Sequence, residues 1–212
     1  MNRLAQRLFD WMLDSQDSRS FAYGFRRRRL RLVIDAFKAE PGMLVLDIGS
    51  HGGFFQQHWP YPGRVIGLDR IWRAELALRP GGAVIADVRA LPFRSQSLVI
   101  FCNSVLEHIG PVAEQSKAAA EIERVGSKYF VQIPHRFFPV DPHYFTIPFF
   151  QLLPRRLQRR ICRHIGVGYV PRGDFLELHY LSARRLADLF PASRILRERV
   201  LGFTKSLYVL KA

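Results

Sequence analysis

Apolar positions along the chain change their period twice. In residues 3–14, Leu4, Leu8, Trp11 and Met12 fall on one helical face and Arg3, Arg7, Asp10 and Asp14 fall elsewhere, the spacing of an amphipathic helix. A second helix is expected over about residues 20–39. From Met43 the texture becomes short apolar runs, MLVLDI, RVIGLD, AVIAD, SLVIFCN and KYFVQIP, separated by stretches of helical period. Strands alternating with helices predict a parallel sheet with right-handed crossovers. Such a sheet binds ligands outside the carboxyl ends of its strands. After Pro134 the pattern breaks into HRFFPVDPHYFTIPFFQLLP and RRLQRRICRHIG, an aromatic and then basic segment inserted into the core pattern. Regularity returns with a helix at about 182–190 and strands at about 193–200 and 203–210.

With 212 residues, 48% of them hydrophobic and 24% charged, the chain fits one domain with a sizeable core and argues against long disorder. Charge changes the picture. Thirty-two basic residues against eighteen acidic ones give a net charge of +14, which predicts attraction to a polyanion, either nucleic acid or an anionic membrane surface. No stretch has the length of a signal-peptide core or a membrane span, so the expected location is cytoplasmic. Cys102 and Cys162 form neither a metal-ligand spacing nor a disulfide framework and are expected to be reduced structural thiols. No metal constellation stands out, because His135, Asp141 and His143 lack a further partner at a recognised spacing.

In this basic chain Asp47, Asp69 and Asp87 stand at the ends of the first three strand candidates. They would line one edge of the sheet, beside the glycine cluster of VLDIGSHGGFF. The expected ligand therefore carries positive charge or hydroxyls. Gly49 and Asp69 are twenty residues apart, the spacing at which a second-strand acid reaches the ribose of a nucleoside held over the first loop. The competing reading is that these carboxylates cap the helices that follow.

VLDIGSHGGFF, VIGLDR, ADVRALPF and SLVIFCNSVLEHI, in this order, resemble the ligand-binding motifs of class I S-adenosylmethionine-dependent methyltransferases, in particular the type-11-like branch. The resemblance covers about residues 41–134 and continues more weakly through 180–211. It implies a single α/β, Rossmann-like domain with a mostly parallel seven-stranded sheet, helices on both faces, and an aromatic and basic insertion after strand 5. Its segments would be N-terminal helices (1–40), a cofactor core (41–134), an insertion forming an acceptor or lid region (135–180) and a C-terminal helix with a strand pair (181–212). The implied cofactor is S-adenosyl-L-methionine. Gly49, Ser50 and Gly53 would bring the backbone to its methionine part, Asp47 would face its ammonium group, and Asp69 with Arg70 would lie at the ribose. Asp87 and Val88 would meet the adenine, and Asn103 and Ser104 would lie beneath the ligand.

The sequence departs from the family pattern D-x-G-x-G-x-G at His51. A histidine at this loop tip is expected at positive φ, as a strained turn residue or as a residue touching the ligand, with Gly52 sharing the turn.

His108, His135, Asp141 and His143 are the candidate catalytic residues, with His179 and Tyr180 as further candidates for an acceptor pocket. A general base among His135, His143 and Asp141 matters only for a poor nucleophile such as a sugar hydroxyl; otherwise the sulfonium is already activated and alignment carries the reaction. The insertion resembles a segment of type-11-like bacterial proteins, some linked to cell-envelope glycans. This implies a small or membrane-associated acceptor, such as a glycan or lipid-linked precursor. After Pro154, Leu157, Ile161 and Ile165 fall on one helical face and Arg155, Arg156, Arg159, Arg160 and Arg163 on the other. Such a helix either packs its apolar side on the domain or docks on an anionic inner leaflet. An RNA methyltransferase is the enzymatic alternative, disfavoured because FCNSVLEH stands where base-amino methyltransferases carry N/D-P-P-aromatic. A non-catalytic binding protein retaining the fold is the alternative from another class.

Overall fold

The computed structural model describes residues 11, 17–72 and 77–212. Apart from Trp11, the amphipathic stretch expected at 3–14 lies outside them. The elements are α1 (Phe21–Phe37), β1 (Val45–Ile48), α2 (Phe54–His58), β2 (Val65–Asp69), β3 (Ala83–Ile85), β4 (Leu98–Asn103), α3 (Val112–Val125), β5 (Gly126–Pro134), α4 (Arg155–His164), α5 (Ala183–Leu189), β6 (Arg194–Val200) and β7 (Phe203–Lys211). Short 3-10 turns cover Leu106–His108 and Phe150–Leu152. Among the described residues one sheet of seven strands runs in the order β3-β2-β1-β4-β5-β7-β6. The first five strands pair in parallel, and β7 inserts antiparallel between β5 and β6. The expected mostly parallel sheet of seven strands is the one observed.

The period-two pattern of the strands sends alternate side chains to two helical layers. Val99, Phe101, Phe130 and Tyr208 face α1, whose Leu30, Val33 and Phe37 are buried against them. Ile100, Cys102, Tyr129, Val131 and Val209 face the other way, against Ala118, Ala119 and Ile122 of α3 and Leu186 of α5. Serine caps open α1 and α5: Ser20 accepts from the Tyr23 N–H and Ser182 from the Arg185 N–H, which satisfies otherwise orphaned donors. Both cysteines are free and buried.

The arginine run of α1 does not form a uniform charged face. Arg29 lies in register with Val33 and Phe37 and is 5% exposed. Its guanidinium donates to Glu198 at 2.9 Å and to Asn103 at 3.0 Å. With further bonds to Gln132 and Tyr208 it is a core ion pair joining α1 to four strands, and its charge is unavailable to an external polyanion.

The segment after Pro134 folds over the carboxyl end of the sheet around a small core of its own, in which Tyr144, Phe150, Cys162, Val167, Val170 and Leu178 pack together. Of the apolar face expected for α4 only Ile161 packs on this core. Gln158 and Cys162 are buried, whereas Leu157 and Ile165 are 42% and 50% exposed. The reason is hydrogen bonding, since the Gln158 amide donates to the carbonyls of Phe150 and Leu153 and so turns that side of the helix inward. Among the described residues no helix is long and apolar enough to cross a membrane.

Candidate active site

The loop after β1 explains the histidine at its tip. Gly49, His51 and Gly53 adopt φ of +71°, +43° and +68°, so every second residue from 49 to 53 lies in the left-handed region. His51 occupies a glycine conformation and Gly52 does not share it. An L side chain there carries a modest strain. Gly49 has a second constraint, because a Cβ at this position would strike Cγ2 of Val105. The loop after β1 therefore rests directly on the segment that leaves β4.

Asp47 lies under this loop, 3% exposed. Burial, reinforced by Asp69 and opposed by Arg26, pushes its carboxyl up to about 8. Asp69 ends β2 and accepts from the Ile71 N–H at 3.4 Å. Asp87 follows β3 and is already engaged: Arg89 donates to it from its backbone and its guanidinium, and the pairing holds the carboxyl down at about 2. The exposed Arg70 stands 3.8 Å from Asp87. Val88 sends its side chain into the core. Ser50 is buried with its hydroxyl unpartnered, and a Cβ on Gly67 would come within 2.9 Å of that oxygen. Asn103 is held by Arg29 on the α1 side of the sheet, and Ser104, at φ +56°, donates to the Gln132 side chain at 2.7 Å.

The acceptor-side candidates divide. His143 and His108 approach Nε2 to Nε2 at 3.1 Å. The Nδ1 of His143 lies 2.9 Å from Asp141, which also accepts from the His143 backbone N–H and, at 2.8 Å, from the Tyr180 hydroxyl. Asp141 is 2% exposed, so it orients His143. His135 stands apart, at the end of β5, where its backbone N–H donates to Lys205 and burial, with Arg197 nearby, lowers its pKa. His179 borders the cluster through its backbone N–H, which donates to the Glu107 carbonyl.

Sequence reading passed over Glu107. It is fully buried, and neither carboxylate oxygen has a hydrogen-bond partner among the described residues. Burial pushes it up to about 7. Burial also lowers His143, but the hydrogen bond and charge of Asp141 outweigh it and leave the imidazole above its ordinary value. The signal for Glu107 was its place in L-E-H, directly after a strand end. Gly168 fixes the cluster from the other side: at φ +62° a Cβ would strike the carbonyl of His143, and that carbonyl accepts from the Tyr169 N–H at 3.0 Å. A cavity of about 240 Å³ between α3 and the insertion shares Tyr180 with the cluster.

Residues 46–128 match the family model described as a methyltransferase domain. No curated protein sequence matches the chain. Among solved structures, a Pyrococcus horikoshii OT3 protein superposes with a TM-score of 0.58 at 16% identity, over 99% of this chain and 98% of that one. The 1,6-didemethyltoxoflavin-N1-methyltransferase of Burkholderia thailandensis, with its acceptor and S-adenosylhomocysteine bound, gives 0.57 at 17% identity, over 98% and 87%. The N-methyltransferase NodS of Bradyrhizobium japonicum WM9, in complex with S-adenosylhomocysteine, gives 0.54 at 14%, over 98% and 95%. These likenesses show the fold. That fold is the one of class I S-adenosylmethionine-dependent methyltransferases, and the methyltransferase-domain match runs from β1 to the first residues of β5.

Proposed function

We propose that the chain transfers the methyl group of S-adenosylmethionine to a small acceptor seated between the Leu106–His108 turn and the insertion at 135–180. The observation that carries this reading is the packing of Gly49 on Val105. The loop suited to the methionine part and the turn bearing Glu107 and His108 share a boundary, so a donor on one side and an acceptor on the other meet within one cleft. Asp47 receives the ammonium group and Asp69 the ribose hydroxyls. Asp87, committed to Arg89, acts at the adenine through the turn it stabilises. The whole chain works as one methyltransferase domain, with the insertion selecting the acceptor. Attack on the sulfonium methyl needs alignment above all, which supplies up to roughly 7–11 kcal/mol when the reacting atoms are held in line. The Burkholderia thailandensis enzyme, solved with bound 1,6-didemethyltoxoflavin, supports a small molecule in this cleft.

A lipid-linked acceptor, or docking on an anionic inner leaflet, is supported by the outer face of α4. Glu177 pairs with Arg155 and Arg159. Arg156, Arg160 and Arg163 form the remaining stripe, with exposed Leu157 at its edge. Each basic residue near such a surface adds about 1 kcal/mol. The acceptor class is tested by labelled-methyl transfer to fractionated small molecules, lipids, saccharides and RNA. Label in a small-molecule or lipid fraction supports the reading, and label in RNA alone overturns it in favour of a nucleic-acid methyltransferase.

A further inference from the structure

The polar cluster beside the cleft contains more ligand chemistry than methyl transfer to an acceptor requires. We propose that Glu107, His108 and His143 form a binding site for a first-row divalent metal ion of the zinc type, open on the acceptor side. This rests on the acceptor cleft proposed above and deepens it.

One ligand atom from each of the three residues lies within 4.8 Å of the other two. The imidazoles converge most closely. Their Nε2 atoms are 3.1 Å apart, with the rings at 75° and not stacked. An ion at the roughly 2.0–2.1 Å usual for zinc and imidazole nitrogen would subtend an angle of about 100° at this separation, which suits tetrahedral coordination. Closing the carboxylate onto such an ion takes a shift of the order of 1 Å, within reach of side-chain rotation.

Three features give the site a purpose beyond proximity. Glu107 is fully buried with both oxygens unpartnered, a costly arrangement for a carboxyl group unless something compensates it. The nearby Ser104 hydroxyl favours the charged form only weakly against burial, because it also donates to Gln132. Next, the Nδ1–H of His143 donates to Asp141, which leaves the Nε2 lone pair directed at His108. A carboxylate behind a ligating histidine is the arrangement that fixes tautomer and ring direction in metal sites, and Tyr180 holds Asp141 in turn. Finally, the site is graded from buried Glu107 to exposed His108. Three protein ligands with one open side are the pattern of a catalytic zinc site, whereas structural sites are closed by four.

The chemistry balances without a further reactant. An acceptor hydroxyl that binds the ion at its open position loses its proton to solvent more readily, because the cation stabilises the oxyanion. The oxygen then forms its bond to the methyl carbon as the carbon–sulfur bond breaks, and S-adenosylhomocysteine leaves. The inference thus narrows the acceptor to one that presents an oxygen.

The test uses the full chain without a histidine tag, titrated with Co2+ and followed by its visible d–d absorption, then displaced with Zn2+. The expected result is saturable binding of one Co2+ per chain, weakened at least about 30-fold in each of Glu107→Gln and His108→Ala, and about 10- to 100-fold in Asp141→Asn, which removes only the supporting carboxylate. Calorimetry with S-adenosylmethionine on the same samples shows whether each variant is folded. No saturable Co2+ binding by wild type, or the same affinity and spectrum in Glu107→Gln and His108→Ala, overturns the metal site. If S-adenosylmethionine still binds in that case, the methyltransferase reading survives alone; Co2+ binding without cofactor binding would do the reverse.

Discussion

The two halves of the cleft are built differently. The proposed cofactor half comes from segments close in sequence: Asp47 lies on β1, Gly49, His51 and Gly53 on the turn that follows it, and Asp69 ends the next strand. The acceptor half is assembled from Glu107 and His108 after β4, Asp141 and His143 in the insertion, and Tyr180 beyond α4. In the first half backbone conformation would do most of the recognition, so the sequence must supply glycines or tolerate strain. In the second, buried side chains position one another, and no local pattern records them. The donor side is therefore expected to fail independently of the acceptor side.

The largest expected effects come from two glycines that separate the halves. Gly49→Ala places a Cβ against Val105 at φ +71°. Left-handed backbone costs a non-glycine residue about 1–2 kcal/mol and overpacking another 1–3, so cofactor binding should weaken by about 2–5 kcal/mol. Gly168→Ala carries a similar penalty against the His143 carbonyl. There it should lower thermal stability and displace His143, while S-adenosylmethionine affinity stays within about twofold. Equal loss of cofactor affinity in both variants, measured by calorimetry, would dissolve the division.

Asp69→Ala comes next. Two charge-assisted hydrogen bonds to the ribose, at about 1.5 kcal/mol each or somewhat less, predict a loss of roughly 2–3 kcal/mol with folding retained. Unchanged affinity would remove Asp69 from the site.

The pH dependence of binding follows from Asp47. Its folded pKa, about 8, lies above the ordinary 3.8. The folded protein without cofactor therefore holds a proton that the unfolded chain releases, and Asp47 costs stability as pH rises from about 4 to 8. Binding an ammonium group reverses the shift and expels the proton. Affinity should rise toward pH 8 by up to about tenfold per unit, with proton release visible as a dependence of the binding heat on the buffer. A flat profile between pH 6 and 8 would show that Asp47 does not meet the ammonium.

The smallest effect belongs to His51→Gly, which relieves strain at φ +43° and should preserve or improve cofactor affinity, by about 1 kcal/mol at most. Loss of turnover with cofactor binding intact would instead give this histidine a role in the reaction.

This contrast also accounts for what could be read from the chain. Strands β1 to β7 and the helix opened by Ser20 were legible because their apolar periods reflect the two helical layers directly. The positive φ at His51 followed from the pattern D-x-G-x-G-x-G. Burial of Arg29 was not foreseen, although its spacing from Val33 and Phe37 carried the signal, because an arginine in a run of four reads as surface charge. The packed side of α4 was read correctly only at Ile161, for a related reason. Gln158 is polar, yet its hydrogen bonds to two loop carbonyls make it the inward residue, while Leu157 and Ile165 remain exposed. Glu107 escaped notice because being buried and unpartnered are properties of tertiary structure. Likewise His135 and His143, similar in sequence context, are separated only by the path of the insertion.

The most direct test is isothermal titration of S-adenosylmethionine into wild type, Gly168→Ala and Asp69→Ala at pH 8. The account predicts one site per chain, nearly the same affinity for Gly168→Ala, and a loss of about 30- to 150-fold for Asp69→Ala, the equivalent of about 2–3 kcal/mol. No binding by wild type, or a loss as large in Gly168→Ala as in Asp69→Ala, would contradict it.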